Sequence, residues 1–257
     1  MKDNHLLYTV SFLLLPFIFS CQGGPRSVPR DGGNAEFPSR TIEKDIITPR
    51  KTGRISVSLS LLVLPEEGNL SPLLKKLLYD GMNCEQYAEG IIASLRKNSA
   101  AMEEAQPGVE GEDGDESRWY YTEAFTPVRE TSDPDILVIS HKREYYLGGA
   151  HGMREGRYFA VRCSRKAALS PGDFVPPEKN GAFLSLIEEA LREYSEIKPG
   201  ARLTEGGFFK DTLEEIPDNF YPGRRGMVFG WDPYEIAPFS MGPIEVTVPW
   251  EKIRALP

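Results

Sequence analysis

"RISVSLSLLVLP", residues 54–65, is the stretch from which the fold can be read. Ile55, Val57, Leu59, Leu61 and Val63 share one parity, and Ser56, Ser58 and Ser60 share the other. Successive side chains on a strand point to opposite faces, so this alternation marks a strand with one buried face. Helical spacing follows it. In "NLSPLLKKLLYDG" Ser71 stands as a cap, Pro72 suits a first helical position, and Leu73, Leu74, Leu77 and Leu78 form a stripe. A second helix is predicted from Asn83, with Gln86 three residues on as in a capping box. The later chain returns to strands: "WYYTEAFTPV", "DILVISHKREYYLGG", "GRYFAVRCS", "GMVFGW" and "PIEVTVP" are β-prone runs bounded by Gly or Pro. Between them "GAFLSLIEEALREYSEI" carries an amphipathic stripe, and "KDTLEEI" reads as a short helix. Strands and helices mix without regular alternation. The expected class is α+β, an antiparallel sheet with packed helices.

Upstream of residue 54 the chain changes character. "MKDNHLLYTVSFLLLPFIFSC" has Lys2 near its start, an apolar run from Leu6 to Phe19, then Ser20 and Cys21. Residues 1–20 read as a signal peptide, because a spanning helix needs about 20 predominantly apolar residues. A cysteine at the cleavage position resembles a lipoprotein signal, with Cys21 the first mature residue and carrying lipid. A plain secretory leader, with Cys21 incidental, is the other reading. Residues 21–53 are rich in Gly, Pro and charge and read as a flexible tether. Two cysteines remain, Cys84 and Cys163. In an oxidising compartment they form either a disulfide or two packed thiols, since spacing alone does not test geometry. The net charge of −8 argues against a general nucleic-acid binder, which needs a basic face. It suits a cationic partner.

Past the leader the only histidines are His141 and His151. Neither sits in a metal-binding or nucleophile motif, and no Walker or dinucleotide loop is present. No cofactor or metal is implied. His151 lies in "EYYLGGAHGM", residues 144–153, where Gly148, Gly149 and Gly152 permit positive φ and close backbone approach. His151 then either ties this turn together through its ring nitrogens or faces a ligand. The acidic run 103–117 reads as a solvated loop. The other dense feature is "WDPYEIAPFSMGP", residues 231–243, where Trp231, Tyr234 and Phe239 alternate with prolines. Prolines narrow the loop's conformations, and rigid aromatic rings give contact area at small entropic cost. The loop either packs on the core or presents a binding surface.

These two stretches, in this order and with "ALSPGDFV" and "NFYPGRRGMVFGW" between them, resemble the bacterial domain-of-unknown-function 3298 family. The resemblance covers residues 135–257, with 54–134 similar to a companion N-terminal segment. It implies an extracytoplasmic α+β domain of lipoproteins and membrane-anchored proteins, some of them lysozyme-sensing ectodomains. By that similarity Tyr234, Glu235, Pro238 and Phe239 lie in the partner-contacting loop, and Gly149 and His151 in the other characteristic turn. The expected protein is a non-catalytic, lipid-anchored binder of a bacterial cell envelope, facing the periplasm or exterior. Its expected partners are the bilayer through Cys21, and a lysozyme-like muramidase or a wall glycan. The alternative is an envelope enzyme acting on peptidoglycan, with His151 in its site.

Overall fold

The computed structural model describes residues 37–50, 53–66, 68–105 and 117–257. The leader, Cys21, the tether up to residue 36 and most of the acidic run lie outside the described residues. Among the described residues no helix is long and apolar enough to cross a membrane. The fold is α+β. The strands are β1 (Ser39–Ile47), β2 (Gly53–Leu62), β3 (Ser117–Val128), β4 (Ile136–Tyr146), β5 (Met153–Arg162), β6 (Ala167–Ala168), β7 (Phe220–Pro222), β8 (Gly226–Trp231) and β9 (Ile244–Pro249). The helices are α1 (Ser71–Tyr79), α2 (Cys84–Ala105), α3 (Asn180–Tyr194) and α4 (Trp250–Arg254). One sheet has the strand order β1-β2-β3-β4-β5-β6 and the other β7-β8-β9. The chain divides into two units that interleave in sequence. The first holds Glu36–Thr126 and Lys142–Met153, the second Pro127–His141 and Arg154–Pro257. The sequence boundary at 134/135 falls inside the second unit.

In the first unit the alternation of β2 holds: Ile55, Val57, Leu59 and Leu61 are buried and Ser56 is exposed. Helices α1 and α2 pack on the buried face. The Tyr79 hydroxyl at the end of α1 donates to the Leu62 carbonyl (2.9 Å) and accepts from the Leu62 amide (2.8 Å). Its ring meets Phe125 of β3 edge-on at 5.2 Å. The capping box forms as expected. Asn83 Oδ1 accepts from the Gln86 amide at 2.8 Å, and Gln86 Oε1 accepts from the Asn83 amide at 3.2 Å. The sheet departs from the antiparallel expectation at β2 and β3, which run parallel. Two helices carry the chain from β2 to β3, a crossover long enough to return the next strand in the same direction.

The tether expected to reach residue 53 ends earlier, because residues 39–47 form β1, antiparallel to β2. Its inward positions are Arg40, Ile42, Lys44 and Ile46. Two of the four are charged, so the alternation is invisible on a hydropathy scale. The long aliphatic stems of Arg and Lys cover apolar surface while their heads reach water, and Arg40 pairs with Glu85 of α2. Buried Glu103 fastens the β1–β2 turn to the other end of α2, accepting from the Thr48 hydroxyl (2.6 Å) and the Arg50 amide (2.9 Å).

In the second unit α3 lays Phe183, Ile187 and Leu191 on Met227, Phe229, Val246 and Val248 of the small sheet. Tyr194, the last residue of that helix, is exposed. "KDTLEEI" is irregular rather than helical. Seven residues give little return on the cost of nucleating a helix. The Leu213 amide instead donates to Glu188 of α3 at 3.0 Å. Elsewhere in this unit Arg162 of β5 donates to Asp133 at 3.0 Å, and the Asp135 amide donates to the same carboxylate at 2.9 Å. That amide bond first, and Arg162 with it, hold the Asp133 carboxyl below the usual range. A depressed folded pKa contributes stability above the unfolded pKa, near 4, and loses it as pH falls through the folded value. Asp133→Asn is therefore expected to destabilise the chain at neutral pH. The gap to wild type should close below about pH 4. Urea midpoints measured from neutral pH down to pH 2.5 check this, and a gap that stays constant with pH contradicts it.

Candidate functional site

The loop between β8 and β9 starts from a fixed base. Trp231 and Pro233 are buried, and Asp232 Oδ1 accepts the Gly156 amide of β5 at 2.7 Å. Asn219 reinforces the same place, donating to the Gly156 carbonyl (2.8 Å) and accepting from the Tyr158 amide (3.0 Å). From this base the chain makes a tight turn. The Glu235 amide returns to the Asp232 carbonyl at 3.1 Å, and Glu235 Oε2 accepts the Asp232 amide at 2.6 Å. Pro233 and Tyr234 are the two central residues. Tyr234 has φ +73°, the value of the third residue in a type II turn, where glycine is usual. Holding a bulky side chain in that region costs about 1 kcal/mol. The ring is 52 % exposed and stacks on Phe239 at 5.7 Å. Ala237 is buried beneath, and the Tyr234 amide donates to its carbonyl at 3.0 Å. Pro238 then leads into a single 3-10 turn, Phe239–Met241, closed by Gly242 at φ +67°.

A residue not singled out in the sequence joins this loop. The Phe209 amide donates to the Ile236 carbonyl at 2.8 Å, and the Phe209 side chain is 52 % exposed. The segment around it is acidic, with Glu205, Asp211, Glu214 and Glu215 against Lys210. Asp232 and Glu235 add carboxylates from the loop. The only sequence signal for Phe209 is the paired "FF" after two glycines, with one ring buried and the other not.

The glycine turn between β4 and β5 belongs to the first unit, so it is a separate feature. Gly148 and Gly149 have φ +103° and +98°. Gly152 is required for space instead: a Cβ there would meet the Tyr145 carbonyl at 2.9 Å and the Tyr120 hydroxyl at 3.1 Å. Exposed His151 turns Nδ1 to the Gly152 carbonyl at 2.8 Å. A carbonyl only accepts, so Nδ1 carries the proton in this bond. The Tyr146 hydroxyl donates to the Gly149 carbonyl at 3.1 Å. These contacts fit the turn-tying reading of His151. His141 lies in the other unit, its ring stacked on Phe159 at 6.4 Å. Among the described residues no group of three or more His, Cys, Asp or Glu is placed to hold a metal. Of the two readings of the cysteines the structure takes the thiols. Cys84 is buried at the start of α2 and Cys163 is half-buried after β5, with no disulfide between them. Burial pushes the Cys84 thiol up to about 11.

The profile of DUF3298, a protein family of unknown function, matches residues 173–251. That span includes the Tyr234 loop and not the glycine turn. Two solved structures of DUF3298 family members share the fold. The one from Bacteroides fragilis NCTC 9343 superposes with a TM-score of 0.67 at 19 % identity, over 88 % of this chain and 94 % of that one. The one from Pseudomonas aeruginosa PAO1 superposes with a TM-score of 0.58 at 16 % identity, over 86 % and 94 %. No curated protein matches the chain.

Proposed function

We propose that the chain is a binding protein of a bacterial cell envelope, lipid-anchored through Cys21 and facing the periplasm or exterior. Its contact surface is the 231–243 loop, and it catalyses no reaction. The partner is a lysozyme-like muramidase or a wall glycan. The observation that carries this reading is Tyr234. A half-exposed aromatic ring occupies a backbone position that favours glycine, so the chain holds a strained conformation and gains little burial for it. Strain of this kind is retained where a side chain serves a partner. Stacking on Phe239 fixes the ring before binding, which lowers the entropic cost of association. Carboxylates around Phe209 and Tyr234 steer a cationic protein toward them, which favours the muramidase over a neutral glycan.

The test is a titration of the chain from Gln22 onward against a c-type lysozyme at physiological salt. Saturable binding is expected. Tyr234→Gly and Phe239→Ala together should weaken it by about tenfold or more, as for a central aromatic anchor. Tyr234→Gly alone should leave thermal stability unchanged or raised, since glycine relieves the strain. The reading fails if the double variant binds as wild type does.

A further inference from the structure

Phe209 is held in place by backbone bonds that do not depend on its own ring. The segment 201–213 closes on itself: the Leu203 amide donates to the Asp211 carbonyl at 3.1 Å, and the Thr204 hydroxyl donates to the Asp211 carboxylate. Both ends of the segment hang on one buried ion pair of α3. Arg192 Nε donates to the Ala201 carbonyl at 2.6 Å, Glu188 accepts from the Leu213 amide at 3.0 Å, and Arg192 and Glu188 pair at 3.2 Å. A loop whose ends are fixed together in this way carries its tip as a rigid feature. At that tip Phe208 fills the core, and Phe209 stands in water over half its surface. Two contacts join the segment to the Tyr234 loop. One is the bond from the Phe209 amide to the Ile236 carbonyl. The other is at Gly207, where a Cβ would lie 3.3 Å from the Met241 sulfur. Ile236 and Met241, at these contacts, are themselves half-buried.

We infer that Phe209 is a second anchor of the contact surface and, beside Tyr234, seats in an apolar pocket of a cationic protein. This rests on the loop reading above; it adds a segment outside the loop and commits to a protein over a sugar. A sugar surrounds each C–H face with hydroxyls, which need polar partners once they leave water. Phe209 offers none, because its ring has no polar atom, its amide is spent on Ile236, and Ile236 and Met241 beside it are apolar. An apolar pocket on a protein makes no such demand. The charge of the partner follows from the whole surface. Residues 154–157, 201–218 and 231–243 together carry eight carboxylates and four cations. Three of those cations already face a carboxylate: Arg202 pairs with Glu205, Lys210 with Glu214 and Arg157 with Asp218. The remaining excess is negative and spread over the rim, where it steers a partner without any one group having to bind it. Apolar rings at the centre with charges around them are the arrangement of a protein hot spot.

The full chain is titrated with a c-type lysozyme and, separately, with N-acetylglucosamine hexamer. Lysozyme should bind, and the hexamer at least about tenfold more weakly. Phe209→Ser should weaken lysozyme binding by about tenfold or more. Phe209→Lys, which sets a cation against a cationic partner, should weaken it further. Both variants should melt no more than about 4 °C below wild type, since the ring is half in water and the segment is held by its backbone. Two variants that bind lysozyme as wild type does, while Tyr234→Gly with Phe239→Ala is weakened, sink the Phe209 anchor and leave the loop reading standing. A wild-type chain that binds no lysozyme sinks both. Hexamer binding as tight as that of lysozyme, and weakened by Phe209→Ser, overturns the choice of a protein. A wild-type chain that sediments as a dimer beside a monomeric Phe209→Ser chain overturns it too, because the ring then covers a second copy.

Discussion

Gly226→Ala is expected to cost the chain about 3 kcal/mol or more, enough to deplete the folded form of a protein of ordinary stability. The reason is backbone against backbone. A Cβ on Gly226 would lie 2.1 Å from the Val248 carbonyl oxygen and 2.9 Å from the Pro249 Cα. A flexible side chain can move aside, but these atoms belong to the neighbouring strand. Retreat is blocked on the other side as well, because β8 is the central strand and pairs with both β7 and β9. The close approach also sets up the start of α4, where the Trp250 amide donates to the Arg225 carbonyl at 3.2 Å and its indole to the Gly223 carbonyl at 2.9 Å. Thermal or urea unfolding checks the expectation. A Gly226→Ala protein that melts within about 2 °C of wild type, less than a 1 kcal/mol change would shift a chain of this size, contradicts it.

How much of this fold could be read from the sequence depends on where apolar periodicity was left uncovered by charge. β2 shows period two because serines fill its open face, and α2 shows its start because Asn83 and Gln86 make a reciprocal cap. β1 hides because Arg40 and Lys44 take inward positions and a composition rich in Gly, Pro and charge precedes it. The parallel β2–β3 pair was implicit in the same reading. A strand, two helices and a strand were all in place, but the lack of regular alternation along the chain pointed to an antiparallel sheet. A connection that long permits a parallel return, which composition does not report.

The candidate site divides in the same way. Glycine positions were legible, since Gly148 and Gly149 do take positive φ and Gly152 does face a close backbone. Within the 231–243 loop the sequence could not sort its aromatics. Trp231 is buried in the core of the second unit, whereas Tyr234 is exposed. What separates them is one backbone angle at Tyr234, set by Pro233 and by the Asp232–Glu235 turn. The paired "FF" did not tell which ring is exposed, because the place of Phe209 beside the loop comes from a bond to Ile236 far along the chain.

Glu123→Ala is the second change with a large expected effect, at about 3–5 kcal/mol. Glu123 of β3 is 2 % exposed and faces α2. Its two oxygens accept from the hydroxyls of Tyr87 (2.7 Å) and Tyr121 (2.8 Å). Burial first, and this carboxylate second, push both hydroxyls above the usual phenol range, so they stay protonated and keep donating. Arg143 acts in the opposite sense on Tyr121 through its charge and a hydrogen bond. Truncating Glu123 removes the acceptor for two buried donors and leaves a hole in the packed interior. Tyr87→Phe alone removes one donor and should cost only about 1 kcal/mol. In the background of Glu123→Ala that same change should cost less or stabilise, because the hydroxyl has already lost its acceptor. Replacing all three by apolar residues (Glu123→Leu, Tyr87→Phe, Tyr121→Phe) should recover part of the loss, and only part, since Arg143 keeps its charge. Urea unfolding of this set measures the coupling directly. Additive costs for Glu123→Ala and Tyr87→Phe, or a Glu123→Ala loss below about 1 kcal/mol, would mean that the buried carboxylate does not hold α2 to the sheet.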